Sequence, residues 1–275
     1  MRNTSKTAQV LVVVLLLILA VSTLLPILYM CEVTFLTKEE YMVNMFSLPS
    51  SLSLKNYRLV LENFNFLRMS FNSLLVSGFA VFFSLFLTSL TAYSLNKLQW
   101  RGKKFVIGLI TVGMFMPGQV LILPVYQILI NLNLVNSRLG LIAFYVALSI
   151  PFTVMMMLAN IKSVSNEIIE SASIDGAGHF RVYLSIVLPL LKPTLATAAI
   201  LNFITNWNEL LYAMILLQDE KLRTVTVSVV SMTNKFASNI PLLYAGLLLC
   251  ALPVIVVYLV AQKQIIKGVS AGAVK

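Results

Sequence analysis

The sequence predicts an all-α polytopic membrane protein of six transmembrane helices, and three observations carry the prediction. Of 275 residues, 59% are hydrophobic and only 11% are charged. Six apolar runs each approach the ~20 residues that a ~30 Å hydrocarbon core demands of a helix. Between the fourth and fifth runs lies a segment, 162–193, too rich in charge and glycine to cross a bilayer. A mean hydropathy of +0.91 excludes a soluble domain. The net charge of +10 would suggest nucleic acid in a soluble protein, but here it is a matter of topology and implies no nucleic-acid partner.

The first run, 10–30, follows Arg2 and Lys6 and is longer than the ~7–15 residue core of a secretory signal. No small-residue cleavage site follows before Glu32, so it is expected to be retained as a span, kinked at Pro26. The outer segment 31–70 carries enough Leu, Tyr and Phe to suggest short surface helices. In the second run, 71–95, Gly78 with Ser77, Ser84, Thr88, Ser89 and Thr91 is the composition of close helix packing, as are Gly108 and Gly113 in the third. The third and fourth runs, 105–130 and 139–161, contain Pro117, Gly118, Pro124 and Pro151. Such breaks are tolerated where neighbours re-satisfy the freed backbone groups, and they mark bends.

The polar segment has its own logic. Ser165 is a plausible N-cap, Glu167 suits the positive end of the helix dipole, and Gly176 supplies the left-handed residue that ends the first helix. Beyond the turn, Phe180, Tyr183, Leu184 and Val187 recur at i, i+3, i+4 and i+7, one apolar stripe on a second helix that Pro189 stops or kinks. The result is a helix-turn-helix elbow at a membrane surface with its acids at the turn. By local chemistry alone it is either a docking lever or a solvated connector.

The order Glu170-Ser171-Ala172, Asp175-Gly176-Ala177, Tyr183, Ile186, Leu188-Pro189-Leu190 and Pro193 resembles the cytoplasmic loop of permease subunits in binding-protein-dependent ABC importers. There the loop reads Glu-Ala-Ala, two residues, Asp-Gly-Ala, then an aromatic and Leu-Pro-Leu. This chain departs by Ser171 for the first alanine and by Tyr183 for the usual phenylalanine. The C-terminal QKQIIKGVSAGAVK is similar to the tail of the maltose-type, carbohydrate-uptake branch. The resemblance implies a type I importer permease, one domain over 1–275, whose loop couples to an ATPase through Glu170, Ser171, Ala172, Asp175, Gly176, Ala177, Leu188 and Pro189. It implies four partners besides the lipid bilayer: a second related permease subunit, a dimer of ATP-binding subunits, an extracytoplasmic substrate-binding protein and a sugar substrate. ATP and Mg would be bound by the partner ATPase, with no cofactor in this chain.

In the fifth run, 194–217, Asn202, Asn206 and Glu209 are spaced i, i+4 and i+7 and are expected on one helix face, near Trp207, Asn208 and Tyr212. Asn206 lies about 12 residues beyond Thr194, roughly 18 Å into the membrane. A carboxylate at such depth faces a protein interior or an aqueous cavity rather than lipid. Two readings stand. Asn202, Asn206, Asn208 and Glu209 line a substrate pathway, since amides bond to sugar hydroxyls and an indole stacks on a pyranose; or they form a satisfied interhelical cluster with a partner permease.

The sixth run, 242–262, makes the number even and leaves both termini on one side. Twelve of the Lys and Arg residues fall on that side, in the termini, the 97–104 loop and the elbow, against eight on longer outer segments. The excess places both termini and the elbow in the cytoplasm, and the resemblance implies the cell (inner or plasma) membrane of a prokaryote. No Gly-x-x-x-x-Gly-Lys-Ser/Thr loop occurs, so transport energy must come from another subunit or a gradient. His179, Cys31 and Cys250 provide neither a metal site nor a disulfide, and no nucleophile-base pair argues for an enzyme. An ion-gradient-driven secondary transporter and a non-transporting scaffold are the rival classes.

Overall fold

The computed structural model describes residues 6–236 and 239–273, with side chains over 8–233 and 239–262. Arg2 and Lys275 lie outside the described residues, as do the side chains of Lys6, Lys235, Lys263 and Lys267. Among the described residues every regular element is helical. Four helices contain stretches long and apolar enough to cross a bilayer: α1 (Lys6–Val33), α4 (Phe66–Lys97), α7 (Arg138–Ile161) and α14 (Ile240–Ala273). Between them lie α2 (Lys38–Val43), α3 (Lys55–Asn63), α5 (Lys103–Phe115), α6 (Ile122–Asn131) and a polar elbow of α8 (Asn166–Ile174), α9 (His179–Val182) and α10 (Leu188–Leu190). After the elbow come α11 (Lys192–Asn208), α12 (Leu211–Leu216) and α13 (Val225–Phe236).

Two of the expected spans are bent or broken. Around Pro117 the third run folds by 101° between α5 and the 3-10 turn Gly118–Leu121 that leads into α6. Proline has no N–H and disfavours helix in the residue before it, and Met116 is extended accordingly (φ −79°, ψ 118°). Pro124 falls in the first turn of α6, where a missing donor costs nothing. The fifth run is not one helix over 194–217 either. The last elbow helices meet α11 at 75°, and α11 stops at Asn208 because Glu209 is extended (φ −69°, ψ 130°). Pro151, by contrast, is carried inside an unbroken α7.

The chain divides into two compact units, Met1–Leu67 with Ser228–Ala251 and Arg68–Val227 with Leu252–Lys275. In the first, α2 opens on a reciprocal capping box: Thr37 Oγ1 accepts from Glu40 N at 3.2 Å, and Glu40 Oε2 accepts from Thr37 N at 2.8 Å. The Asn56 amide donates to the carbonyls of Thr34 and Leu36, both at 2.9 Å, which pins α3 beneath the end of α1. Val33, Leu36, Val60, Met232, Leu242 and Ala245 form the buried interior. These are the short helices expected of segment 31–70. The membrane stretch of α1 is exposed on every side, and a helix apolar all round belongs in lipid or against another chain.

The second unit is built along α7. Its N-terminal half, with Leu141, Phe144 and Tyr145, packs with Val76 and Ala80 of α4 and with Ala213 and Leu216 of α12. The C-terminal half, with Val154, Met157 and Ile161, packs with Ala92 and Tyr93 of α4, with Val182, Tyr183 and Val187 of the elbow, and with Ala198 of α11. Between these apolar clusters sits a polar layer. Ser149 Oγ donates to Ser84 Oγ at 2.7 Å, and the Asn202 amide donates to Ser84 Oγ and Thr153 Oγ1, both at 3.2 Å. Thr88 and Ser89 return their hydroxyls to carbonyls one turn back, so the buried hydroxyls of α4 serve packing as expected. Gly78 and Gly108 differ, for a Cβ at either would meet nothing within 4 Å, whereas Gly113 lies against Pro151.

The helix α13 has no counterpart in the sequence reading. Residues 224–229 at its start alternate threonine or serine with valine, a strand-like pattern, but only a helix satisfies its backbone internally when no partner strand exists among the described residues.

Candidate functional site

The elbow closes on itself by hydrogen bonds its own sequence supplies. Ser165 Oγ accepts from Glu167 N at 3.1 Å and starts α8. At the other end Gly176 takes φ +81°, its N–H donates to Ser173 O at 3.1 Å, and Ala177 N donates to Ala172 O at 2.9 Å. That pair of bonds is the Schellman motif, and Ala172 and Ala177, its two flanking residues, both pack on the lower core, the cluster around the C-terminal half of α7. Gly176 has open space around it, so glycine is required there for its φ and not for room.

Beyond Gly178 the chain enters α9 and then a π turn, Tyr183–Val187, closed by Leu188 N donating to Tyr183 O. Pro189 cannot donate, and its ring crowds the carbonyl four residues back; the wide turn upstream relieves the crowding. The π turn also changes which residues face inward. Val182, Tyr183 and Val187 are buried, whereas Phe180 is 62% and Leu184 43% exposed, so the expected stripe is split. Leu188 is half-buried and Pro189 exposed; together they line an apolar groove of about 480 Å³ against Phe82 and Phe86 of α4.

Both departures from the resembled loop are compensated locally. Ser171 sits on the exposed side of α8 and turns its hydroxyl to Ile168 O at 3.0 Å. The Tyr183 hydroxyl, which a phenylalanine would lack, bonds to Ser89 Oγ at 2.7 Å, and its ring lies 5.6 Å from Tyr93. Lys97, the last residue of α4, donates to Val164 O and to Asn166 Oδ1, the latter at 2.9 Å. The elbow is therefore fastened to α4 at two points, neither of which the sequence reading found. Its tip presents exposed Glu167, Glu170 and Asp175 beside Ile174, 86% exposed.

Asn202 and Asn206 share a buried face of α11, but Glu209, expected on that face with them, lies beyond the helix end. Asn202 belongs to the interhelical polar layer with Ser84 and Thr153. Asn206 is buried with its Nδ2 unpaired, and Asn208 is exposed at the end of α11. Glu209 lies past the helix end, and its carboxylate caps the next one: Oε1 accepts from Tyr212 N at 2.9 Å and Oε2 from Ala213 N at 3.0 Å. Oε2 also accepts from the Tyr145 hydroxyl at 2.7 Å, and Thr226 Oγ1 donates to the Glu209 carbonyl at 2.9 Å. The i, i+4, i+7 spacing presumed a helix that stops one residue short of Glu209. The available signal was an acid followed by an apolar run, which also reads as an N-cap.

Residues 81–270 match the family described as binding-protein-dependent transport system inner membrane component. The melibiose/raffinose/stachyose import permease protein MelC of Bacillus subtilis (strain 168) is 32% identical over 228 residues, 82% of this chain and 83% of that one. The diacetylchitobiose uptake system permease protein NgcG of Streptomyces coelicolor is 30% identical over 260 residues, 94% of this chain and 86% of the other. Among solved structures, a chain of a bacterial ABC transporter involved in the import of the acidic polysaccharide alginate superposes with a TM-score of 0.83 at 25% identity, covering 96% of this chain and 99% of that one. A bacterial alginate ABC transporter in complex with its pentasaccharide-bound periplasmic protein shares the fold, with a TM-score of 0.70.

Proposed function

The chain belongs to the family of binding-protein-dependent transport system inner membrane components, and from that premise we propose that it is the permease subunit of an ATP-driven importer for a sugar or oligosaccharide. It forms half of the translocation pathway, and a second, related permease supplies the other half. ATP and Mg are held by a dimer of ATPase subunits, and sugar arrives from an extracytoplasmic binding protein. Both termini and the elbow face the cytoplasm.

The observation that carries this reading is the elbow: a lever whose first helix, α8, is capped at both ends, with an exposed tip and a root tied into the core. Closure of the ATPases on nucleotide displaces the tip formed by Glu170, Ser171, Asp175 and Gly176. Ala172, Ala177 and Leu188 transmit the displacement through the lower core, and Pro189 fixes the angle to α11. The ties from Tyr183 to Ser89 and from Lys97 to Val164 carry α4 along. The spans rotate, the cavity opens outward to the loaded binding protein, and hydrolysis reverses the motion.

The test is a gentle-detergent pull-down of this chain from its native membrane, with mass spectrometry of what co-purifies, repeated with Asp175→Arg. The expected result is a P-loop ATPase and a second permease with the wild type, and loss of the ATPase alone with the variant. A chain that comes down alone and still supports uptake from an ion gradient overturns the reading.

A further inference from the structure

The bend in the third span opens a cavity of about 410 Å³, a volume typical of small-molecule sites. One wall is Met114, Met116 and Gln119 at the break, and the other is Ala147, Phe152 and Tyr212. Ala147 and Phe152 straddle the middle of α7 (Arg138–Ile161), which places the cavity at the depth where a translocation path must pass. Irregular backbone at membrane depth is tolerated where it lines such a cavity, and interrupted helices are where transporters hold their cargo.

We propose that this cavity is a carbohydrate subsite of the translocation path, a proposal that rests on the importer reading above. Gln119 is an exposed amide, able to donate to and accept from a sugar hydroxyl. The Tyr212 hydroxyl reaches the cavity beside Gly118, where any Cβ would collide with it, so glycine at the break is what admits the phenol. Phe152 is 51% exposed and offers an open ring to the C–H face of a pyranose. Pro151 adds an acceptor, because it gives no N–H to the Ala147 carbonyl, and both residues line the cavity. Glu209 does not touch the sugar; by capping α12 it sets Tyr212, whose ring packs edge-on against Phe144 at 4.5 Å. Few polar groups on an apolar wall bind weakly, as a passage site must in order to release what it holds.

The experiment uses the complete importer reconstituted in liposomes with ATP and its binding protein. Uptake is measured for radiolabelled raffinose, maltotriose, arabinotriose and diacetylchitobiose, with wild type, Gln119→Leu, Tyr212→Phe and Gly118→Ala. Gln119→Leu and Tyr212→Phe are each expected to slow uptake by roughly three- to tenfold, the worth of one hydrogen bond, and Gly118→Ala, which pushes the phenol aside, by at least as much, in every case by a factor that differs from sugar to sugar and so reorders them. A merely structural role would slow all sugars by one common factor; that result, or unchanged uptake of every sugar, overturns the subsite and leaves the importer reading standing. A wild-type complex that carries none of the four sugars with ATP overturns both.

Discussion

Glu209→Gln separates a structural carboxylate from one that handles substrate. The wild-type side chain accepts from Tyr212 N, Ala213 N and the Tyr145 hydroxyl with two oxygens. Glutamine keeps one acceptor. With that oxygen toward Ala213 and Tyr145, the amide NH₂ meets the Tyr212 N–H, and one donor is orphaned at about 1–3 kcal/mol; the flipped amide orphans two. Removing the charge from the start of α12 adds about 0.3–1 kcal/mol, so the total is about 1.5–4 kcal/mol. Tyr145→Phe takes away a single bond and leaves no orphaned donor, for about 1 kcal/mol. At roughly 2–4 °C per kcal/mol, Glu209→Gln is expected to melt about 4–8 °C lower for a loss of about 2 kcal/mol. The assay heats the detergent-solubilised complex and measures the monodisperse fraction by fluorescence-detected gel filtration, beside ATP-driven uptake. Loss of stability should follow Glu209→Ala > Glu209→Gln > Tyr145→Phe, with uptake tracking the folded amount. A Glu209→Gln complex as heat-stable as wild type but without uptake would refute the cap.

Gly176→Pro should abolish uptake while the chain still reaches the membrane, because proline cannot adopt φ +81° and removes the N–H bonded to Ser173; Gly176→Ala, strained by about 1–2 kcal/mol and unobstructed, should keep partial uptake. Membrane localisation by blot and uptake in the same cells check both. Tyr183→Phe should be mild, costing about 0.5–1.5 kcal/mol, since Ser89 retains its bond to Leu85 O, whereas Tyr183→Ala empties a core site and should cost about 3–5 kcal/mol and the assembled complex, read by gel filtration. Outside the membrane, the Ser50 hydroxyl and the Thr37 N–H hold Glu40 below the ordinary carboxylate value. Its contribution is therefore complete above that ordinary value and lost as pH falls through the lowered one, so the protection of the amides over 37–44, taken against the intrinsic exchange rate at each pH, should fall in acid and do so less in Glu40→Gln.

Much of the elbow was legible because its determinants are contiguous: a cap at Ser165, a left-handed residue at Gly176 and a proline at 189 act on backbone within a turn. The ends and breaks of the membrane runs were less so. Hydropathy registers that 194–217 is apolar but not that Glu209 ends one helix and starts another, and a period of 3.6 applied across that stop put Asn202 and Glu209 on one face. The Pro117-Gly118 pair announced a bend, yet its size, 101°, depends on what packs on either side. The ties from Lys97 to Val164 and from Ser89 to Tyr183 join residues 67 and 94 positions apart, a separation at which no local pattern speaks.

The π turn at Tyr183–Val187 bears on how chain length can vary. A turn closed from i to i+5 holds one residue more than an α-helical turn, and the surplus is absorbed locally, so that Val182 before it and Leu191 after it still enter the same core. One residue removed there, exposed Ser185 for instance, converts the turn to ordinary helix with both flanking faces nearly preserved. The same deletion inside α8 or α11 would swing everything beyond it by about 100° and bring the wrong side chains to the core. Of the single-residue deletions in the elbow, one at this turn should therefore cost the fold least.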